Sequence, residues 1–125
     1  MFQIDFASRV PIYEQICANI IKLASVGVFK SGDKLPPVRV LASQLGINPN
    51  TVAKAYRELE NSGYIFSTVG RGSFLSDKLT EDSAQKIIAL NAFKQAAKEA
   101  YLFGISREEM KDILENIYEG GKRLD

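Results

Sequence analysis

A chain of 125 residues, 46% hydrophobic and 25% charged, has the size and balance of one small globular domain with at most a short appendage. It contains no histidine and one cysteine, Cys17, which excludes an internal disulfide framework and a cysteine zinc cluster and removes the commonest metal ligand and general base together. The net charge of +1 is unevenly spread: residues 1–75 carry eight basic side chains against five acidic ones, a balance of +3, and residues 76–125 carry eight against ten, a balance of −2.

Residues 1–8 are mixed in character and read as a short arm. Pro11 then stands where a first helix opens, its fixed φ and missing N–H both tolerated at that position. Ile12, Ile16, Ile20, Leu23 and Ala24 follow at helical spacing, with Ile21 at the edge of the stripe, and the helix is expected to run to about Gly27. On it, Cys17 reads as a small buried apolar residue rather than a reactive thiol. "FKSGDKLPP" is a turn-rich connection, after which Pro36 and Pro37 are expected to open a second helix with Val38, Leu41, Ala42 and Leu45 on its apolar face. Gly46 ends it, as glycine does where the chain needs a positive φ. Asn48 is a good N-cap and Pro49 a good first residue for a third helix, whose inward face is Val52, Ala55, Tyr56 and Leu59 and whose end falls between Asn61 and Gly63. Two helices joined by about three residues that include a glycine match a helix-turn-helix.

"YIFST" and "GSFLS" are then short β-rich runs with the glycines of "VGRG" between them, a hairpin signature. Three helices followed by a hairpin is the order of a winged helix. The polar stretch "SDKLTED", residues 76–82, reads as a boundary. Beyond it Ala84, Ile87, Ile88, Leu90, Ala97 and Tyr101 form a helical stripe interrupted by Asn91 and Lys94, and Gly104 breaks it. Ser106 with Glu109 is a capping box that starts another helix, with Met110, Ile113, Leu114, Ile117 and Tyr118 on its apolar face. "EGGKRLD" reads as a frayed tail. The expected class is α+β: a winged helix-turn-helix domain over 1–76, then a two-helix C-terminal segment over 77–125.

Catalysis finds no support in these residues. There is no histidine to pair with a serine or the cysteine, and the acids at 108, 109, 112, 115 and 119 read as a solvated helical face. Gly70-Arg71-Gly72 is not a phosphate loop, because a strand and not a helix follows it. No metal or cofactor is expected. DNA is another matter. A major groove admits one α-helix, whose N-terminal residues reach base edges. The helix from Pro49 turns Asn50 and Thr51 outward in its first turn, with Lys54 and Arg57 on the following turns. Arg39 lies near the start of the second helix, where the dipole disfavours a cation, so a phosphate or base contact would explain it. Arg71, at the hairpin tip between two glycines, suits a minor groove or a phosphate. The rival reading is a winged-helix module that binds protein and not DNA; it would not need Arg39, Asn50, Thr51, Lys54 and Arg71 together.

The stretch "GDKLPPVRVLASQLGINPNTVAKAYRELENSGYIFSTVGRGSFL", residues 32–75, closely resembles the winged helix-turn-helix of GntR-type bacterial transcription regulators, and "PIYEQI", residues 11–16, resembles that family's first helix. The short remainder is similar to the YtrA-like subgroup, in which two helices serve mainly for dimerisation. The lack of histidine separates the chain from relatives with a histidine-rich, metal-binding effector domain. The resemblance implies a homodimeric regulator, most simply a repressor, reading a palindromic operator, often that of its own operon. It implies DNA contacts from Arg39, from Asn48, Asn50 and Thr51 at the start of the recognition helix, and from Gly70 and Arg71 at the wing tip. Pro49 stands where some relatives carry a basic residue, which passes any basic base contact to Lys54 or Arg57.

The apolar stripes of the two C-terminal helices call for a partner, most simply a second copy, since a lone helical hairpin cannot bury them; the alternative is that they pack back on their own winged-helix domain. A small-molecule effector near Phe93, Tyr101 and Phe103 stays open, although those aromatics read first as ordinary core. No apolar run approaches a membrane span, and "MFQIDFASRVPIYEQ" has neither the basic nor the apolar region of a signal peptide, so a cytoplasmic location is expected.

Overall fold

The computed structural model describes residues 2–120 and contains α1 (Ile12–Ser25), α2 (Val38–Leu45), α3 (Pro49–Asn61), β1 (Ile65–Thr68), β2 (Gly72–Leu75), α4 (Glu81–Leu102) and α5 (Arg107–Gly120). The last residues of the expected tail, 121–125, lie outside the described residues. Contacts divide the chain into two compact units, Met1–Ile88 and Ala89–Asp125.

In the first unit, both early helices begin just after their prolines. Pro11 and Pro37 are N-caps, with ψ of 145° and 147°, and neither helix has a side-chain cap. Their carbonyls accept the first helical bonds, from the Gln15 N–H at 3.1 Å and the Leu41 N–H at 3.0 Å. Pro36 and Pro37, expected to open the second helix, stand just ahead of it: Pro37 is the N-cap and the first helical residue is Val38. A residue that precedes proline is disfavoured in the α region, which keeps Pro36 out of the helix, and the extended ψ of Pro37 itself, 147°, puts the first helical residue at Val38. Gly46 ends α2 with φ 69° and ψ 37°, and a Cβ there would meet nothing within 4 Å, so backbone conformation alone selects glycine. Asn48 and Pro49 open α3 as expected: the Asn48 Oδ1 accepts from the Asn50 N–H at 2.8 Å.

The core joins Ile16, Ile20 and Ala24 of α1, Leu41 and Ala42 of α2, and Val52, Ala55, Tyr56 and Leu59 of α3. With the half-buried Val38 and Leu45 added to α2, each set follows helical spacing, so one face of each helix turns to a shared centre. The hairpin closes this core only at its base. Ile65 and Leu75 are buried and face each other in an antiparallel register that runs Phe66 to Phe74, Ser67 to Ser73 and Thr68 to Gly72. Beyond them the wing projects outward, held by the stacked rings of Phe66 and Phe74, 5.5 Å apart, and by the paired hydroxyls of Ser67 and Ser73 at 3.0 Å.

Residues 32–35 run along the free edge of β2. The Leu35 N–H donates to the Ser73 carbonyl at 2.8 Å, the Leu75 N–H to the Asp33 carbonyl at 2.9 Å, and the Gly32 N–H to the Leu75 carbonyl at 2.8 Å. Leu35 is thereby lowered into the core. The expected boundary stretch also contributes: Leu79 and Ala84 are buried, and Gln85 at the start of α4 donates through Nε2 to the Ser25 carbonyl at 3.1 Å. The N-terminal segment is tied down. Gln3 exchanges two bonds with the Asn19 amide, at 2.9 and 3.0 Å, and Phe2 and Ile4 pack against the core. An asparagine side chain here stands in for a strand partner, which a free arm would lack.

The second unit is a helical hairpin. Gly104, at φ 85°, turns the chain, and the Ile105 N–H returns to the Ala100 carbonyl at 3.0 Å. Ser106 Oγ accepts from the Glu109 N–H at 3.1 Å, the first bond of the expected capping box. α5 has no buried residue, and the buried residue of α4, Ala84, belongs to the first unit.

Candidate nucleic-acid interface

The residues that begin α3 show why the sequence presents a polar end there. Asn48 spends its Oδ1 on the Asn50 N–H and keeps its amide nitrogen free to donate. No acid stands in the first turn, so nothing opposes an anion at the positive end of the helix. Val52, Ala55, Tyr56 and Leu59 are buried, while Asn50, Lys54 and Arg57 are exposed and Thr51 is half-buried. Asn48, Asn50, Thr51, Lys54 and Arg57 line one concavity together with Ile12 and Tyr13 of α1. Five of the sequence-expected residues thus share one surface.

Gly70 and Arg71 line a second concavity, with Lys34, Pro37, Val38 and Tyr56. The tip is a three-residue turn closed by the Arg71 N–H on the Thr68 carbonyl at 3.0 Å, and Gly70 takes φ 77° there. Arg39 lies on neither wall. It is exposed on α2, one residue beyond Val38 of the second concavity.

Three further residues shape this face. Lys34, bridged to Phe74, reaches toward the tip end of the wing, with its Cε 2.9 Å from where a Cβ on Gly72 would sit. Tyr56 donates its hydroxyl to the Pro36 carbonyl at 2.6 Å, and burial raises its pKa, so the phenol stays a donor and locks α3 to the entry of α2. Tyr13 holds its ring 4.1 Å from the Lys54 Nζ. Lys34 and Tyr13 carry no signal in the local pattern, since pairings across elements place them. Beneath the face, Cys17 donates its thiol to the Ala55 carbonyl at 3.4 Å. Burial first, then the charges of Glu58 and Glu14, push that thiol up to about 11, as suits a packed and unreactive side chain.

A helix-turn-helix with an outward polar first turn, followed by a basic wing, defines a winged-helix DNA-binding protein. The chain belongs to the gntR family of bacterial regulatory proteins, whose family model matches residues 12–75; it is a DNA-binding transcriptional regulator and not an enzyme. It is 40% identical to the HTH-type transcriptional repressor YtrA of Bacillus subtilis (strain 168), with 100% of both chains covered. Among solved structures, a GntR family transcriptional regulator from Listeria monocytogenes matches at TM-score 0.67 and 32% identity, covering 89% of this chain and 98% of that one. YtrA from Sulfolobus acidocaldarius, a GntR-family transcription factor, matches at TM-score 0.59 and 39% identity, over 74% of this chain and 97% of that one. No helix among the described residues is long and apolar enough to cross a membrane.

Proposed function

We propose that the chain is a homodimeric repressor, acting in the cytoplasm on a palindromic operator, with α3 in the major groove and the wing in the adjacent minor groove. The observation that carries this reading is the face of α3: Asn50, Thr51, Lys54 and Arg57 turned outward over one concavity, above a buried apolar face. Asn48, Asn50 and Thr51 are assigned to base and phosphate contacts at the helix start, Lys54 and Arg57 to contacts further along it. Arg39 is assigned to the flanking backbone, and Gly70 and Arg71 to the minor groove.

Dimerisation is assigned to residues 77–125, and every DNA contact to 1–76. Support for it lies in the apolar side chains that the second unit leaves uncovered, among them Tyr101, Phe103, Ile117 and Tyr118. One protomer offers a single recognition helix, and a two-fold dimer would read half-sites about one helical turn apart. Repression is the sign of regulation named for the Bacillus relative that matches end to end.

The test is fluorescence anisotropy of the full chain on DNA from upstream of its own coding sequence, against a scrambled duplex, over a salt series. Preferential binding that weakens steeply with salt is expected, since phosphate neutralisation releases counterions. Absence of binding to either duplex at low salt would favour a protein-binding module instead.

A further inference from the structure

We propose that Tyr13 is a positioning residue for Lys54, and that Lys54 contacts a DNA phosphate at the wall of the groove and not a base. The inference rests on the placement of α3 in the major groove. Its starting point is the Lys54 ammonium, 4.1 Å from the centroid of the Tyr13 ring. That is well inside the roughly 6 Å over which a ring face attracts a cation.

The two side chains come from different helices, and the helix that carries the ring is fixed against the one that carries the lysine. α1 packs along α3, with Ile16 and Ile20 fully buried between them and the Cys17 thiol bonded to the Ala55 carbonyl. A lysine left alone on a helix surface samples many rotamers and loses that freedom on binding. A ring face restricts the stem in advance, yet consumes none of the three N–H donors of the ammonium. The lysine is therefore held in place and still able to bind an anion.

Position along the helix decides which anion. In the docked arrangement the first turn reaches the base edges, and Asn50 and Thr51 occupy it. Lys54 stands a turn later and is drawn sideways onto α1, while Tyr13 and Ile12 form the outer wall of the shared concavity. A helix with its side chains, about 10–12 Å across, fills a groove about 12 Å wide. A side chain pulled toward a flanking helix then faces the backbone of the duplex.

The test uses a duplex enriched by the full wild-type chain from a random-sequence pool, with a scrambled duplex as the non-specific probe. Lys54→Gln is expected to weaken binding about tenfold on both duplexes, to shrink the salt slope by about 0.9, and to enrich the same sequence from the pool. Tyr13→Leu is expected to weaken binding about two- to fivefold, with that loss vanishing in the Lys54→Gln background, while Tyr13→Phe binds as wild type. The Lys54 side-chain protons next to the ammonium should also show an upfield ring-current shift in the wild-type NMR spectrum, a readout that needs no variant to fold. An unchanged salt slope, a new enriched sequence, additive losses in the double variant, or an unshifted Lys54 signal each overturn the inference. If the wild-type chain enriches no duplex at all, the DNA placement of α3 fails first and takes this inference with it.

Discussion

The two units of this chain draw on similar apolar residues and put them to opposite use. In the first unit, Ile16, Ile20, Leu35, Leu41, Val52, Leu75 and Leu79 are all but removed from water. In the helical hairpin that follows, Tyr101 is 71% exposed, Phe103 87% and Ile117 58%. Three helices and a hairpin can enclose a common centre, whereas two helices share one seam and leave their outer stripes bare. The first unit carries its own core, and the second displays the makings of one. Phe93, Tyr101 and Phe103, which the pattern alone reads first as core, are exposed, because a two-helix hairpin has no layer of its own to cover them.

That contrast can be broken most sharply at Leu79. The residue sits in a polar stretch that looks like linker, but is 1% exposed. Leu79→Ala should cost about 2–5 kcal/mol in denaturant unfolding of the full chain; a loss under about 0.5 kcal/mol would mean that the stretch is a linker after all. Paired aspartates at Ile113 and Ile117 should leave the melting of the winged unit in place. They should convert the chain to monomers in sedimentation velocity and weaken operator binding by about 10²–10⁴, the avidity that linked half-sites provide.

A smaller effect is expected at the cap of α3. Asn48→Ala removes the acceptor for the Asn50 N–H and should cost about 0.5–2 kcal/mol of stability. Smallest is the pH dependence of Cys17. Its thiol is raised from 9.0 to about 11 in the folded chain, so the unfolded chain releases the proton first. The stabilisation is full below pH 9 and falls as pH rises toward 11, and Cys17→Ala should flatten that segment of the stability curve. Alkylation of the native thiol near neutral pH should be slow, and that of the unfolded chain fast.

The parts legible in the sequence are those with a period. The inward faces of α1, α2 and α3 recur at helical spacing, that of α2 through Val38, Leu41, Ala42 and Leu45, and Asn48-Pro49 marks a helix start by chemistry confined to two neighbours. Leu35 and Leu79 escape the same reasoning, since a single leucine in a polar stretch has no periodic companion. Leu35 is placed by the hydrogen bonds of residues 32–35 to β2, and Lys34 comes to the wing by the same route. The outward residues of α3 follow from helical geometry once its inward face is known. Tyr13 does not, because the contact that matters joins two helices about forty residues apart in the chain.

The most direct test of the division of labour is sedimentation velocity of the full chain on an enriched palindromic duplex, beside the Ile113→Asp/Ile117→Asp variant. Two wild-type chains should load in one cooperative step, and the variant should load one chain per half-site, more weakly. Identical stoichiometry and affinity for the two proteins, or wild-type chains loading singly, would contradict a DNA-reading unit paired through its C-terminal helices.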